Sequence, residues 1–287
     1  MKVLVTGARG LLGRAVVEEG QRRGYHTVAL GRDQLDVTDE AAVRARLQRE
    51  RPGVVIQCAG YTGVDGAETE PELAMRVNAT AACFVAEACN SVGALCVYPS
   101  SDYVFDGAGS RPYRPKDAVC PLNRYGESKA AGEEAVRSTG RSLVVRTSWL
   151  YGRGGRHFVG TILRAAQDGS GPLRVVDDQI GRPTWTTSLA SVIYDLGERG
   201  AQGMFHATGG GEPVSWYRFA RAVLAGKGLR LALLPVPSSA RPRPAPRPAY
   251  SVLDCTGTER VTGRPMPSWR ESLTRYLDET RYEREPA

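Results

Sequence analysis

Tyr125-Gly-Glu-Ser-Lys129 places a phenol and a primary amine four residues apart, on one face of any helix they share. A phenol titrates near about 10 and is a poor acid–base group at neutral pH. A neighbouring ammonium, together with the positive charge of an oxidised nicotinamide, favours the phenolate and draws that pKa toward the working range. Ser101, in Ser100-Ser-Asp-Tyr103, adds a small hydroxyl able to hydrogen-bond a carbonyl oxygen and orient it. Tyr125 can then hand its proton to that oxygen as hydride reaches the carbon. Lys129 has a second use, holding the ribose hydroxyls of a nicotinamide nucleotide. The chemistry expected of this trio is hydride transfer to or from a carbonyl carbon.

Such a trio needs a dinucleotide site, and the first residues supply one. Lys2-Val-Leu-Val-Thr is an apolar run that leads into Gly7, Gly10 and Gly13. Gly7 permits the tight turn, Gly10 lets the backbone approach a pyrophosphate, and Gly13 lets the following helix pack closely on the sheet. Arg9, Leu11 and Leu12 fill the turn and first helical positions, where free backbone N–H groups and the positive dipole end face phosphates. The end of the second strand selects the cofactor. An acid there binds a ribose 2′-hydroxyl, whereas an arginine accepts a 2′-phosphate. Here Gly31-Arg32 occupies that place, with Arg9 nearby, which favours NADPH while leaving NADH possible. Asp36-Val37 is expected along the adenine pocket, and Cys58-Ala59-Gly60 is small enough for the cofactor to lie close.

The elements that must position these residues read as alternating strand and helix. Strands are expected at Val3–Thr6, His26–Leu30, Val54–Gln57, Leu95–Tyr98 and Leu143–Arg146. Helices are expected at Leu11–Arg23, from a Thr38 cap to about Glu50, and from about Pro71 to Val92, with another carrying Tyr125. Continuously apolar strands between helices predict an α/β fold, a doubly wound parallel sheet of Rossmann type with a smaller C-terminal substrate-binding lobe. Residues 1–148 form the expected dinucleotide-binding domain with the catalytic residues. Residues 149–287 form the expected second lobe, with segments returning to the first. In it the expectations are a helix near His157–Gln167, a strand at Leu173–Val176 and a helix from about Thr187. A strand at Met204–Ala207, a helix Trp216–Leu224 capped by Ser215, and a Ser268–Glu271 capping box complete it. Pro235–Pro248 should be irregular and exposed in its middle.

Composition narrows the partners. Hydrophobic residues make up 41% and charged residues 24% of 287, ordinary globular values. The net charge of +7 comes from arginines spread along the chain, without a basic run interleaved with aromatics, so an anionic small molecule is expected rather than nucleic acid. No apolar segment reaches the roughly 20 residues of a membrane span and no leader is apparent, so a cytoplasmic protein without a membrane partner is expected. The six cysteines lack C-x-x-C spacing and are expected reduced and mostly buried; no metal site is expected. His26, His157 and His206 read as structural.

Longer motifs carry a resemblance. Cys58-Ala-Gly-Tyr-Thr-Gly-Val-Asp-Gly-Ala-Glu68, Ser100-Ser-Asp-Tyr-Val-Phe-Asp-Gly107 and Pro121-Leu-Asn-Arg-Tyr-Gly-Glu-Ser-Lys129 are three of them. Arg146-Thr-Ser-Trp-Leu-Tyr-Gly152, Val175-Val-Asp-Asp-Gln-Ile-Gly-Arg-Pro-Thr184, Ser215-Trp-Tyr-Arg-Phe-Ala220 and Arg247-Pro-Ala-Tyr-Ser-Val-Leu-Asp254 are the others. Over nearly its whole length the chain resembles the dTDP-4-dehydrorhamnose reductase family of extended short-chain dehydrogenase/reductases. The resemblance implies reduction of the C4 ketone of a dTDP-4-keto-6-deoxyhexose by NAD(P)H, with Ser101 in the place of a catalytic threonine. It also implies that Tyr103 and Trp149 contact the sugar, and that Arg182 and Arg247 lie near the nucleotide diphosphate. Some members bind magnesium at a dimer interface through a glutamate that is Ala15 here, so a monomer or a homodimer without that metal is expected. Arg114-Pro-Lys116 and Ser188 also depart from the family pattern, which widens the substrate to other deoxysugars.

Two other functions share these motifs. A sugar-nucleotide epimerase of the same superfamily would recycle its cofactor rather than consume it. A non-catalytic NADP-binding regulatory subunit would have a relaxed catalytic set, and Ser101, Tyr125 and Lys129 are all present. A dehydratase needs a second carboxylate after Asp102, where Tyr103 stands instead.

Overall fold

A computed structural model describes residues 1–169 and 171–280. In the first half, β1 (Lys2–Thr6), α1 (Leu11–Arg22), β2 (His26–Leu30), α2 (Glu40–Glu50) and β3 (Val54–Gln57) alternate. Then come α3 (Gly66–Thr69), α4 (Pro71–Met75), a π-helical turn at Arg76–Thr80, α5 (Ala81–Val92), β4 (Leu95–Ser101), α6 (Arg124–Ser138) and β5 (Ser142–Thr147). The second half holds β6 (Leu150–Tyr151), α7 (Phe158–Gln167), β7 (Leu173–Val176), β8 (Ile180–Gly181), β9 (Thr184–Trp185) and α8 (Thr186–Glu198). It ends with β10 (Gly203–His206), β11 (Val214–Ser215), α9 (Trp216–Gly226), β12 (Leu233–Val236), α10 (Thr256–Thr262) and α11 (Trp269–Glu279).

Six strands form one parallel sheet in the order β10-β5-β4-β3-β1-β2. The order reverses between β1 and β3, and a crevice opens beyond the carboxyl ends of strands at such a point. The sheet is sealed because its strands are apolar on both faces. Val3, Val5, Ile56, Val97 and Leu143 pack under α1 and α8, while Leu4, Val55, Cys96, Tyr98 and Val144 pack under α2, α5 and α6. Burying each such side chain contributes about 1.5–3 kcal/mol, so the sheet rather than helix propensity holds this half together.

A separate apolar cluster, with Tyr151, Ile162, Leu163, Trp185, Phe219, Val223, Trp269 and Tyr276, fills the space among α7, α9 and α11. Its segments do not stay apart from the large sheet: α8 covers α1, and β10 forms the sheet edge beside β5. Of residues 149–287, Ser170 and 281–287 lie outside the described residues. Among the described residues, no helix is long and apolar enough to cross a membrane.

Several local expectations change. Asp39, not Thr38, caps α2, its carboxylate accepting the Ala42 N–H; Thr38 instead donates its N–H and hydroxyl to Asp36. A carboxylate satisfies the orphan N–H groups of a first turn and complements the helix dipole better than a hydroxyl does. The segment Pro71–Val92 is not one α-helix, because the π turn interrupts it and moves Asn78 toward the site. Ser268 stands at the N-cap of α11 without a side-chain cap bond, so no capping box forms. Ser215 does cap α9, accepting the Arg218 N–H. Leu233–Val236 adds a short strand at the start of the proline-rich stretch, and Arg241–Pro244 beyond it is exposed. The three histidines have structural settings: His26 begins β2, His157 caps α7, and His206 is buried against Tyr113 and Arg146. All six cysteines are free thiols: Cys89, Cys96 and Cys255 are buried, Cys58 and Cys83 half-buried, and Cys120 exposed.

Candidate active site

The glycine turn meets the geometric demands of a phosphate cradle. Gly7 has φ +61°, and a Cβ on it would lie 2.5 Å from the Ala59 nitrogen. A Cβ on Gly13 would lie 2.2 Å from the Gly7 oxygen, so α1 can approach the sheet only without one. Gly10 differs. A Cβ there would meet only the Gly7 oxygen, at 3.2 Å, so the surface in front of the helix start is open. The first bond of α1 runs from the Arg14 N–H to the Gly10 carbonyl at 3.0 Å. The N–H groups of Leu11, Leu12 and Gly13 precede it and point toward that open surface. This cradle fits a dinucleotide pyrophosphate.

At the cofactor-selecting corner the two arginines do not stand alone. Arg9 Nη2 lies 2.9 Å from Asp33 Oδ2, and Arg32 Nε lies 3.7 Å from Asp36 Oδ2, all largely exposed. Asp33 is the residue the sequence reading passed over; it moderates the positive charge there. Asp36 is held below the ordinary carboxylate range by the Thr38 N–H and hydroxyl, and Val37 is buried beside it. Cys58 and Ala59 follow β3 as expected. Burial pushes the Cys58 thiol up to about 12, against the pull of Lys129, so it stays protonated. Gly60 lies beside Asn78: a Cβ on it would be 3.2 Å from Asn78 Oδ1, which accepts the Tyr61 N–H at 2.8 Å.

Ser101, Tyr125 and Lys129 converge at the carboxyl edge. Ser101 ends β4, with Thr147 at the end of β5 as its register partner. Asn123 caps α6 by accepting the Gly126 N–H at 2.8 Å, which fixes the helix start and with it Tyr125. The Ser101 hydroxyl lies near enough to Tyr125 to oppose the rise of its phenol. Ser101 Oγ also reaches Asp102 Oδ1 at 3.0 Å and accepts the Tyr103 N–H at 3.2 Å. Tyr103 stands edge-on to Tyr125, ring centres 5.8 Å apart.

The electrostatics differ from the expectation. Tyr125 is pushed up to about 12, first by burial, with the Ser101 hydroxyl opposing and the Asp102 charge adding to the rise. The expected lowering by Lys129 is absent from its causes. Lys129 is buried, donates to the Pro99 carbonyl at 2.8 Å and lies 3.9 Å from the centre of the Tyr98 ring. Burial pulls its amine down to about 7, against the charge of Glu133. The sequence spacing put the two groups on one face; the depth of the site weakens the ammonium meant to assist the phenol.

Other residues emerged only with the structure. Asn78 Nδ2 donates to Ser128 Oγ at 2.9 Å and to the Tyr61 carbonyl, tying the π turn to α6. Asp102 is buried and burial raises its carboxyl to about 7. Glu133 is four residues beyond Lys129 and eight beyond Tyr125, a spacing that could have marked it as a neighbour on that face.

The expected sugar and diphosphate contacts separate into two groups. Tyr103 adjoins Tyr125, whereas Trp149, two residues beyond the end of β5, packs on Trp216. Arg182 Nη1 donates to the Leu253 carbonyl at 3.3 Å, while its buried Nε has no partner among the described residues. Arg247 Nη1 pairs with Asp65 at 2.8 Å and donates to the Ala245 carbonyl. Arg247 and Arg243 both pull on the Tyr103 phenol, so this cationic corner borders Tyr103.

A glycine cradle at the sheet's reversal, with a serine–tyrosine–lysine set at the adjoining carboxyl edge, defines a dinucleotide-dependent enzyme of the extended short-chain dehydrogenase/reductase class. The family described as RmlD substrate binding domain matches residues 1–282, and the chain belongs to that family. A dTDP-4-dehydrorhamnose reductase of Streptomyces griseus is 44% identical over 279 residues, covering 94% of this chain and 91% of that one. A dTDP-4-keto-6-deoxy-D-glucose reductase of Streptomyces niveus is 39% identical over 274 residues, covering 94% of each. The crystal structure of a dTDP-4-dehydrorhamnose reductase from Bacillus anthracis in complex with NADP is 38% identical. It superposes with a TM-score of 0.92, covering 97% of this chain and 99% of that one.

Proposed function

We propose that this protein is an oxidoreductase that uses NADPH to reduce the C4 ketone of a dTDP-4-keto-6-deoxyhexose, in deoxysugar biosynthesis. The carrying observation is the convergence of Ser101, at the end of β4, with Tyr125 of α6, Lys129 one turn on, and the glycine cradle at the reversal of the same sheet. The names of the Streptomyces relatives and the NADP in the Bacillus anthracis enzyme support the same reading.

A bound nicotinamide supplies the hydride. The backbone of Gly10–Gly13 holds the pyrophosphate, and Arg9 and Arg32 lie where a 2′-phosphate would be met. Lys129 reaches the nicotinamide ribose hydroxyls. Ser101 donates a hydrogen bond to the ketone oxygen and orients it toward Tyr125. Tyr125, protonated by virtue of its raised pKa, gives its proton to that oxygen as it gains negative charge. A protonated phenol is the required starting form for reduction, and the positive charge left on the nicotinamide after hydride transfer draws the phenol back toward the working range. The residues from Trp149 onward supply the sugar side, with Tyr103, Trp149, Arg182 and Arg247 as its contacts. The working unit is a monomer or a homodimer.

The test is to incubate the protein with NADPH or NADH and a panel of dTDP-4-ketosugars, follow cofactor absorbance and identify the product by NMR. Stoichiometric NADPH oxidation with a new C4 alcohol is expected. Interconversion of sugars without net cofactor consumption would make it an epimerase instead.

A further inference from the structure

The Trp149 backbone is left-handed, with φ +49°, a conformation an aromatic residue keeps only where its surroundings over-determine it. Three segments remote in sequence do so. Trp216, the first residue of α9, stacks face to face on Trp149, ring centres 3.5 Å apart and planes 8° apart. Phe158 of α7 lies 4.5 Å from the Trp216 ring and backs it. Gly181 lies over the other face of the indole: a Cβ there would lie 2.5 Å from Trp149 Cε2, 2.7 Å from its Cζ2 and 2.8 Å from its Nε1. Pairing of β8 with β11 sets this arrangement, because Val214 is the register partner of Gly181 and Trp216 follows two residues later. Ser215 secures the junction by capping α9 and donating its hydroxyl to Asp177. The Trp149 carbonyl meanwhile accepts the Thr184 N–H at 3.2 Å.

We propose that Trp216, acting with Gly181, is a positioning residue that fixes the Trp149 indole and so sets how the ketosugar is seated against the reacting carbon. The proposal rests on the reading of Trp149 as a sugar contact. The physical reason is that the Trp149 indole is held between Trp216 on one face and Gly181 on the other. Removing the Trp216 ring opens space into which the indole of Trp149 rotates. Adding a methyl group at Gly181 presses on the other face of the same ring. Either change displaces the indole edge that would meet the sugar, without touching the glycine cradle.

The experiment measures steady-state kinetics with a dTDP-4-keto-6-deoxyhexose that the wild type reduces, and NADPH dissociation constants by fluorescence. Trp216→Ala and Gly181→Ala should each raise KM for the ketosugar by about three- to tenfold. Their kcat and NADPH affinity should stay close to wild type, and the unchanged affinity shows that the variants fold. Trp216→Phe, which restores an aromatic face, should recover most of the loss. In the Trp149→Ala background, Trp216→Ala should add nothing further, the signature of two residues acting as one unit. If Trp149→Ala raises KM while Trp216→Ala and Gly181→Ala leave it unchanged, the positioning role is overturned and the functional reading stands. If Trp149→Ala is silent as well, the sugar-facing reading of Trp149 falls with it. Absence of ketosugar reduction by the wild type would overturn the function and this inference together.

Discussion

Glu133 and Arg146 form a bidentate ion pair inside the protein, Nε to Oε1 at 2.8 Å and Nη2 to Oε2 at 2.6 Å, joining α6 to β5. Ser100 donates to the same Glu133 oxygen at 2.5 Å, which brings β4 into the bond set. The catalytic Ser101 is the next residue along β4, and Lys129 is one turn before Glu133 on α6. This pair therefore locks together the strand and the helix that carry the reacting groups.

Removing one partner leaves a buried charge without its complement, which costs about 3–5 kcal/mol. Glu133→Ala should lose that much stability in urea unfolding. Replacing both residues by well-packed apolar ones should recover much of it. A single substitution that leaves the midpoint unchanged would show that the pair does not clamp the site.

Tyr125→Phe removes the proposed proton donor while keeping the ring packed against Tyr103. Turnover should fall by about 10²- to 10⁴-fold, with NADPH affinity nearly unchanged in a binding titration. Turnover equal to wild type would exclude Tyr125 from proton transfer.

Asp102 gives a pH signature. Its carboxyl is raised to about 7 by burial, whereas in the unfolded chain it titrates near the ordinary aspartate value of 3.8. Between those values the folded state binds more protons, so this group lowers stability progressively as pH climbs from about 4 to about 7. Asp102→Asn removes the penalty. Its gain over wild type in urea unfolding should be larger at pH 8 than at pH 5, and equal gains at both would contradict a buried, raised carboxyl. Lys129 has the opposite sense, since its amine is lowered to about 7: it lowers stability at acidic pH and is relieved as pH rises through 7 toward 10.5.

The cofactor corner balances two arginines against two acids. Arg9→Ala and Arg32→Ala should each weaken NADPH more than NADH, by a few-fold given their exposure. Asp33→Asn, which releases Arg9, should shift preference further toward NADPH. The ratio of kcat/KM for the two cofactors checks this, and an unchanged ratio in all three variants would place the 2′-phosphate elsewhere.

The sheet could be read from the chain because its strands are short apolar runs between helix-length segments, a pattern that tertiary contacts reinforce rather than override. Gly7 and Gly13 were legible for a related reason: only glycine meets the close approaches of that turn. Ser101, Tyr125 and Lys129 could be nominated from local spacing and the motifs around them. Local spacing does not report burial, however. How far Tyr125 is raised and Lys129 lowered follows from how deeply α6 lies against β4. The acids facing Arg9 and Arg32, the Glu133–Arg146 bond and the Trp149–Trp216 stack likewise join residues that only folding makes neighbours. Residue types and their order determined the reaction class; the packing of distant segments decided the charge states and the shape in which that chemistry is held.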